Sequence, residues 1–193
     1  MTPLPVPSPA PPPTWVVLDT NVVLDLLVFG EARAGALLRA LQAGQLQALA
    51  TPAMFDELAD VLSRPFLARW KVDAGRLLTQ ARALCRLVDA PTARAGAAPR
   101  CADPDDQVFI DLAWSWPARW LFSRDRALLD LARTAAPRGL GVLTPAAWAA
   151  RPTSADTAAA GGPSGKGPII ADRTPPTPPG MRVRTGRIEK LRS

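Results

Sequence analysis

The sequence predicts an α/β fold, a three-layer α/β/α sandwich with a central, mainly parallel sheet. Short apolar runs that suit strands alternate along the chain with longer segments of helical periodicity. The run at residues 15–18 has no polar residue and ends directly on Asp19, as expected of a parallel strand buried on both faces. With 193 residues, 48% of them hydrophobic, the chain is long enough for one domain with a substantial core.

The first half of the predicted domain contains two strands and four helices. Gly44 suits the end of one helix, while Thr51 and Pro52 suit the N-cap and the first residue of the next. The predicted elements, in order, are a strand at 15–18, helices at 22–29 and 31–43, a strand at 46–50, and helices at 52–63 and 73–87.

The second half contains two further strands and three helices. Residues 88–100 are expected to be turn-like, with room for a short strand at their start. Asp103 and Pro104 have the pattern of an N-cap followed by the first helical residue, so a helix is expected from there to about residue 115. The remaining predicted elements are strands at 119–123 and 141–143 and helices at 126–133 and 145–150.

Two Pro-rich segments flank the predicted domain, which spans residues 15–150. Residues 1–14 and 151–193 are expected to be disordered tails because their composition cannot form a packed core. The second tail holds eight Lys and Arg against three Asp and Glu, which accounts for most of the net charge of +6. The predicted domain is therefore nearly neutral, and a nucleic-acid surface cannot be inferred from the overall charge.

The absence of some residue types excludes several classes of catalytic and metal-binding site. The chain has no histidine and two cysteines, which excludes Ser-His and Cys-His nucleophiles and makes a structural zinc site an unsuitable explanation. No apolar run approaches the length of a membrane-spanning helix, and the first residues do not have the pattern of a signal peptide. We therefore expect a cytoplasmic protein without a membrane partner, whose acid chemistry rests on carboxylates.

Acidic residues follow or precede the predicted elements at one edge of the sheet. Asp19 and Asp125 each come directly after a strand, and the carboxyl ends of parallel strands share an edge. Asp105 and Asp106 begin a helix that right-handed connections bring to the same edge. Glu57 falls beside the apolar stripe of the helix at 52–63, so it can face that edge too.

Several carboxylates at one edge without basic partners would repel each other, and a divalent cation normally relieves that repulsion. An all-oxygen site suits Mg²⁺ or Mn²⁺, and such sites activate water for attack on phosphodiesters. Each acid also has a structural explanation: an Asx turn for Asp19, a helix cap for Asp106 and a boundary position for Glu57. Arg124 and Arg126 flank the last acid, where they would bind substrate phosphates or simply begin a solvated helix.

Four segments in this order resemble the acidic motifs of PIN domains: VVLDTNVV, PAMFDELADVL, CADPDDQVFIDLA and WLFSRDRALLDLA. They look most like the toxin components of toxin–antitoxin systems. The resemblance implies a metal-dependent ribonuclease that acts on RNA, has an antitoxin partner and forms a homodimer. By position it implies four catalytic residues that bind the metal: Asp19, Glu57, Asp106 and Asp125.

The resemblance also assigns supporting roles. Asn21 and Ser123 would hold the metal-binding acids in place. The family's third acid stands seven residues before a small residue, which is Ala113 here, and this spacing selects Asp106 rather than Asp105.

Two other classes of protein remain as alternatives. One is a catalytically silent PIN-like module that binds RNA or protein. The other is an aspartate-based phosphatase or receiver domain. Those families need a lysine at a strand end, and Lys71, the only lysine before residue 151, lies in a polar connection between predicted helices.

Overall fold

The computed structural model describes residues 13–91 and 98–151. Its centre is a single five-stranded sheet in which every pair of neighbours is parallel, in the order β3-β2-β1-β4-β5. The predicted α/β/α fold with a mainly parallel sheet is thus confirmed. The strands are β1 (Thr14–Leu18), β2 (Leu46–Ala50), β3 (Cys85–Leu87), β4 (Trp120–Phe122) and β5 (Gly141–Leu143).

The helices connect the strands and cover both faces of the sheet. They are α1 (Thr20–Leu24), α2 (Gly35–Gln42), α3 (Pro52–Leu62), α4 (Ala74–Leu84), α5 (Gln107–Ser115), α6 (Arg126–Leu129), α7 (Ala132–Ala135) and α8 (Pro145–Ala149). Helix α1 continues into one wide π-helical segment, Asp25–Phe29, and short 3-10 segments lie at Ala32–Ala34, Pro65–Trp70 and Ala136–Arg138. The predicted cap of α3 is present, because the Thr51 hydroxyl accepts a hydrogen bond from the Met54 N–H at 3.4 Å.

The first strand joins the two layers of the core. Val17 belongs to the apolar cluster that includes α3, α4 and α5, whereas Val16 and Leu18 belong to the cluster that includes α2. All three side chains are at most 4% exposed. This burial on both faces explains why the strand has no polar residue between Trp15 and Leu18.

The sheet order places β1 at a topological switch point. The chain moves outward from β1 to β2 and β3, then returns to the other side of β1 to add β4 and β5. The connections on the two sides therefore leave a crevice outside the carboxyl ends of β1 and β4, where open α/β sheets bind ligands. Asp19 and Asp125 both follow strands that border this crevice.

Three predicted boundaries are wrong. The helix predicted at 73–87 ends at Leu84, because residues 85–87 pair with β2 as strand β3. Asp103 does not cap a helix: its carboxylate accepts from the Asp105 N–H at 3.0 Å in a turn, and α5 begins only at Gln107. The helix predicted at 126–133 is divided into α6 and α7.

The proposed domain limits remain a prediction. Strand β1 begins at Thr14, one residue before the predicted start of the domain. Both tails lie almost wholly outside the described residues. None of the helices formed by residues 13–91 and 98–151 has the length and apolar character needed to cross a lipid bilayer.

A candidate acidic active site at the sheet edge

Asp19 is held at the end of β1 by contacts on both carboxylate oxygens. It is 2% exposed, and its backbone N–H donates to the Phe122 carbonyl at 3.0 Å, which continues the pairing with β4. One carboxylate oxygen accepts from the Asn21 N–H at 3.2 Å, and the other accepts from the Ser123 hydroxyl at 2.7 Å. The side chain therefore has a fixed orientation.

Ser123 connects the ends of the two strands. Its buried hydroxyl donates to Asp19 and accepts from the Asp125 N–H at 2.8 Å. Asp125 is the N-cap of α6, where its Oδ1 accepts from the Ala127 N–H at 2.6 Å. One hydroxyl thus fixes the relative position of two acids that are more than a hundred residues apart in sequence.

Glu57 reaches the same edge from α3. Its side chain is half-buried, and the Thr20 hydroxyl donates to its Oε1 at 3.4 Å. The other acids of this helix, Asp56 and Asp60, are exposed, and Asp60 pairs with Arg64. The helix therefore turns one of its three carboxylates toward the residue that follows Asp19.

Asp106 lies directly before α5, and its side chain makes no capping hydrogen bond. The cap explanation that the sequence left open for this residue therefore does not apply. Gln107 fixes the segment before the helix, because its side chain accepts from the Cys101 N–H at 2.8 Å and donates to the Pro99 carbonyl at 3.1 Å. Asp105, by contrast, is exposed.

Each of the four acids lies near enough to another of them for their charges to interact. Burial, followed by the negative charges of Asp19, Asp125, Asp103 and Glu57, raises the pKa of Asp106 to about 7. Burial also raises the pKa of Glu57, and Asp19 adds to the effect. The pKa of Asp19 is raised by burial and, more weakly, by Asp125, against the lowering effect of its hydrogen bonds.

A fifth acid, Asp25, was missed by the sequence analysis. It is 2% exposed, and burial raises its pKa, an effect that the ion pair with Arg124 opposes and that Glu31 and Asp19 reinforce. One feature of the sequence could have predicted its burial: Asp25 interrupts an otherwise apolar run, VVLDLLVF, at residues 22–29. A lone acid in such a run is buried, and a buried acid needs a partner.

The two predicted phosphate-binding arginines have different surroundings. Nε of Arg124 lies 2.8 Å from Oδ2 of Asp25, so this side chain is anchored at the site. Nε of Arg126 lies 2.8 Å from Oδ1 of Asp130, and both of these side chains are largely exposed on α6. The role of each arginine in substrate binding remains a prediction.

The residues present suit a hard divalent cation. In the part of the chain that the structure describes, no three acidic or cysteine side chains form a ready-made ligand set for one ion. Mg²⁺ keeps several waters and commonly takes one or two carboxylates, so a close cluster of three is not required. All candidate donors are oxygens, which matches that preference. The pKa of Asp106 is raised first by burial and then by neighbouring negative charges, which a cation would neutralise.

These features define an α/β/α protein with acidic residues after the strands at the switch point of a parallel sheet. A family model described as "PIN domain" matches residues 15–127, more than half of the chain. The chain belongs to the PIN domain family, whose members are generally nucleases that use divalent metals and bind RNA. No curated protein matches the chain.

Proposed function

We propose that this chain is a metal-dependent endoribonuclease that hydrolyses RNA phosphodiesters. Its active site would lie at the sheet edge that carries Asp19, Glu57, Asp106 and Asp125. The observation that carries the proposal is a set of contacts among acids from four separate elements. Ser123 joins Asp19 to the Asp125 backbone, Thr20 bonds Glu57 beside Asp19, and Asp106 stands uncapped before α5. Such a concentration of like charge destabilises a metal-free protein, so a cation-dependent activity is its simplest explanation. We further propose that the protein acts in the cytoplasm, as the toxin of a toxin–antitoxin pair, and as a homodimer.

Each acid has a distinct role in this proposal. Asp19 and Asp125 are oriented by backbone and hydroxyl hydrogen bonds, so they are the preorganised ligands. Glu57 in α3 and Asp106 directly before α5 contribute the remaining two carboxylates. When bound, Mg²⁺ or Mn²⁺ supplies an activated water and charge neutralisation at the phosphate. Ser123 and Asn21 keep Asp19 in place during the reaction.

The direct test is cleavage of end-labelled RNA in Mn²⁺, in Mg²⁺ and in EDTA. We expect internal cleavage products with either metal and none in EDTA. RNA binding without cleavage in both metals would instead favour the silent PIN-like module. Cleavage that persists in EDTA would contradict the metal-dependent mechanism.

The basic segment at the end of the chain is expected to act only through long-range attraction. Residues 152–193 contain seven Lys and Arg against three Asp and Glu. Deleting them should leave kcat at saturating RNA unchanged and weaken RNA binding mainly at low salt, since at ~0.15 M salt charges are screened beyond about 8 Å. Steady-state kinetics and binding at several salt concentrations test this, and a loss of turnover in the shortened chain would contradict it.

A further inference from the structure

Arg124 differs from the other exposed arginines near the site because its anchor is buried. Its Nε lies 2.8 Å from Oδ2 of Asp25, whose side chain is 3% exposed, while the arginine side chain itself is 51% exposed. The ion pair uses Nε and leaves the two terminal amino groups of the guanidinium outside the contact with Asp25. The guanidinium is therefore anchored by a buried acid on a side chain that is half open to solvent.

Both members of this ion pair are neighbours of residues at the acidic edge. Arg124 stands between Ser123 and Asp125, and Asp25 is near enough to Asp19 for their charges to interact. A guanidinium presents paired N–H groups that match two oxygens of a phosphate. A phosphodiester that approaches the acids would also need a positive group beside them. Arg126 contacts Asp130 through the same Nε atom, but that acid is exposed, so Arg126 has no buried anchor.

We infer that Arg124 binds a backbone phosphate of single-stranded RNA next to the acidic edge, and that the buried Asp25 positions it for this contact. The inference rests on the proposed function and assigns a role to a residue, Asp25, that lies outside the four acids. Asp25 is a positioning residue, since it acts through the arginine and not on the RNA.

Stability alone does not explain why a carboxylate is buried here. The Oδ1 atom of Asp25 has no hydrogen-bond partner in the described part of the chain, so Arg124 alone compensates the charge. A buried ion pair is commonly replaceable by uncharged groups at little net loss of stability. The pair is therefore better explained by the orientation that it gives to the guanidinium.

The test is equilibrium binding of a short, fluorescein-labelled single-stranded RNA in EDTA, where no metal-dependent cleavage interferes. Arg124→Gln should weaken binding about tenfold and reduce the slope of log affinity against log salt by about 0.7, the value for one phosphate contact on a single strand. Arg133→Gln, which removes the same charge from an exposed residue of α7, should change affinity less than about twofold.

Asp25→Asn separates positioning from simple charge. Removing an acid near the RNA would by itself strengthen binding, whereas loss of the anchor should weaken it about threefold. The double variant Asp25→Asn/Arg124→Gln should bind as weakly as Arg124→Gln alone, because the two residues act as one unit. This double variant removes both charges of the ion pair, so a thermal melt close to that of the parent excludes misfolding as the cause.

Three results would each overturn the inference. The first is Asp25→Asn that binds RNA as tightly as the parent or tighter. The second is Arg124→Gln that behaves like Arg133→Gln, and the third is a parent chain that binds no RNA. A parent that binds RNA but does not cleave it in Mn²⁺ would overturn the nuclease proposal alone, because the binding pattern of the variants is measured separately.

Discussion

Replacing Asp19 with asparagine is expected to lower the rate of RNA cleavage by on the order of a thousandfold or more while the chain stays folded. A bound metal supplies several kcal/mol of transition-state stabilisation. Each 1.36 kcal/mol corresponds to a factor of ten in rate. Asparagine keeps the shape and one acceptor for the Asn21 N–H, but it loses the charge that a cation requires.

The matched control is Asp60→Asn, which removes an exposed acid of α3 and leaves the sheet edge unchanged. Cleavage rates at saturating Mn²⁺ and circular dichroism melts should be measured for both variants and the parent. A fully active Asp19→Asn variant of an active parent would remove Asp19 from the site. If Asp19→Asn no longer folds, Ser123→Ala is the next variant to measure. It removes the hydrogen bond to Asp19 but keeps the charge of Asp19.

Asp106→Asn is expected to abolish cleavage and, in the absence of metal, to stabilise the fold. The pKa of Asp106 is raised to about 7 by burial and by its acidic neighbours, so above that pH its charge destabilises the native state. Because the side chain is half-exposed, we expect a gain of only about 1 kcal/mol, the scale of one pKa unit. For a domain of this size, that gain raises Tm by roughly 3–4 °C.

The pH dependence of this gain has a definite sign. Asp106 in the unfolded chain releases its proton near the ordinary aspartate pKa of 3.8, whereas the folded chain keeps it until about 7. The parent therefore loses stability as pH rises from about 4 to about 7, and the penalty is complete above that pH. In EDTA the variant should melt above the parent at pH 8 and close to it at pH 4.

Metal should reverse the order of the melts. Binding to the native state stabilises the parent in proportion to affinity, and the variant gains less from the same Mn²⁺. Asp105→Asn is the control, since it changes the adjacent, exposed carboxylate. If Asp106→Asn melts below the parent in EDTA at pH 8, and Mn²⁺ raises both equally, then Asp106 is not a ligand.

The fold was largely predictable because its strongest elements carry local signals. Thr51 and Pro52 marked the start of α3, and the apolar run before Asp19 identified the central strand. The sequence allowed a short strand only from residue 88, whereas β3 spans Cys85–Leu87. Residues 82–87 continue the apolar spacing of α4, and pairing with three residues of β2 makes the last three of them a strand. Periodicity alone cannot distinguish these two states in so short a segment.

The candidate site was predictable as a set of acids but not as a geometry. Strand ends placed Asp19 and Asp125 at one edge, yet Asp105 and Asp106 could be separated only by resemblance. The side chain of Gln107 fixes the segment before α5 through hydrogen bonds to the backbone of Cys101 and Pro99, and no local sequence pattern predicts these bonds. Asp25 was missed for a similar reason, since its pairing with Arg124 joins residues that are far apart in sequence.

The insertion of β4 beside β1 has a consequence for the synthesis of the protein. Ser123 and Asp19, whose side chains meet at the sheet edge, are 104 positions apart. At about 5–20 residues per second, a ribosome needs roughly 5–20 s to make the intervening chain. A nascent or truncated chain that ends before residue 123 contains Asp19 but not the strand that completes its surroundings. The proposed site therefore lacks Ser123 and Asp125 until most of the domain has been translated.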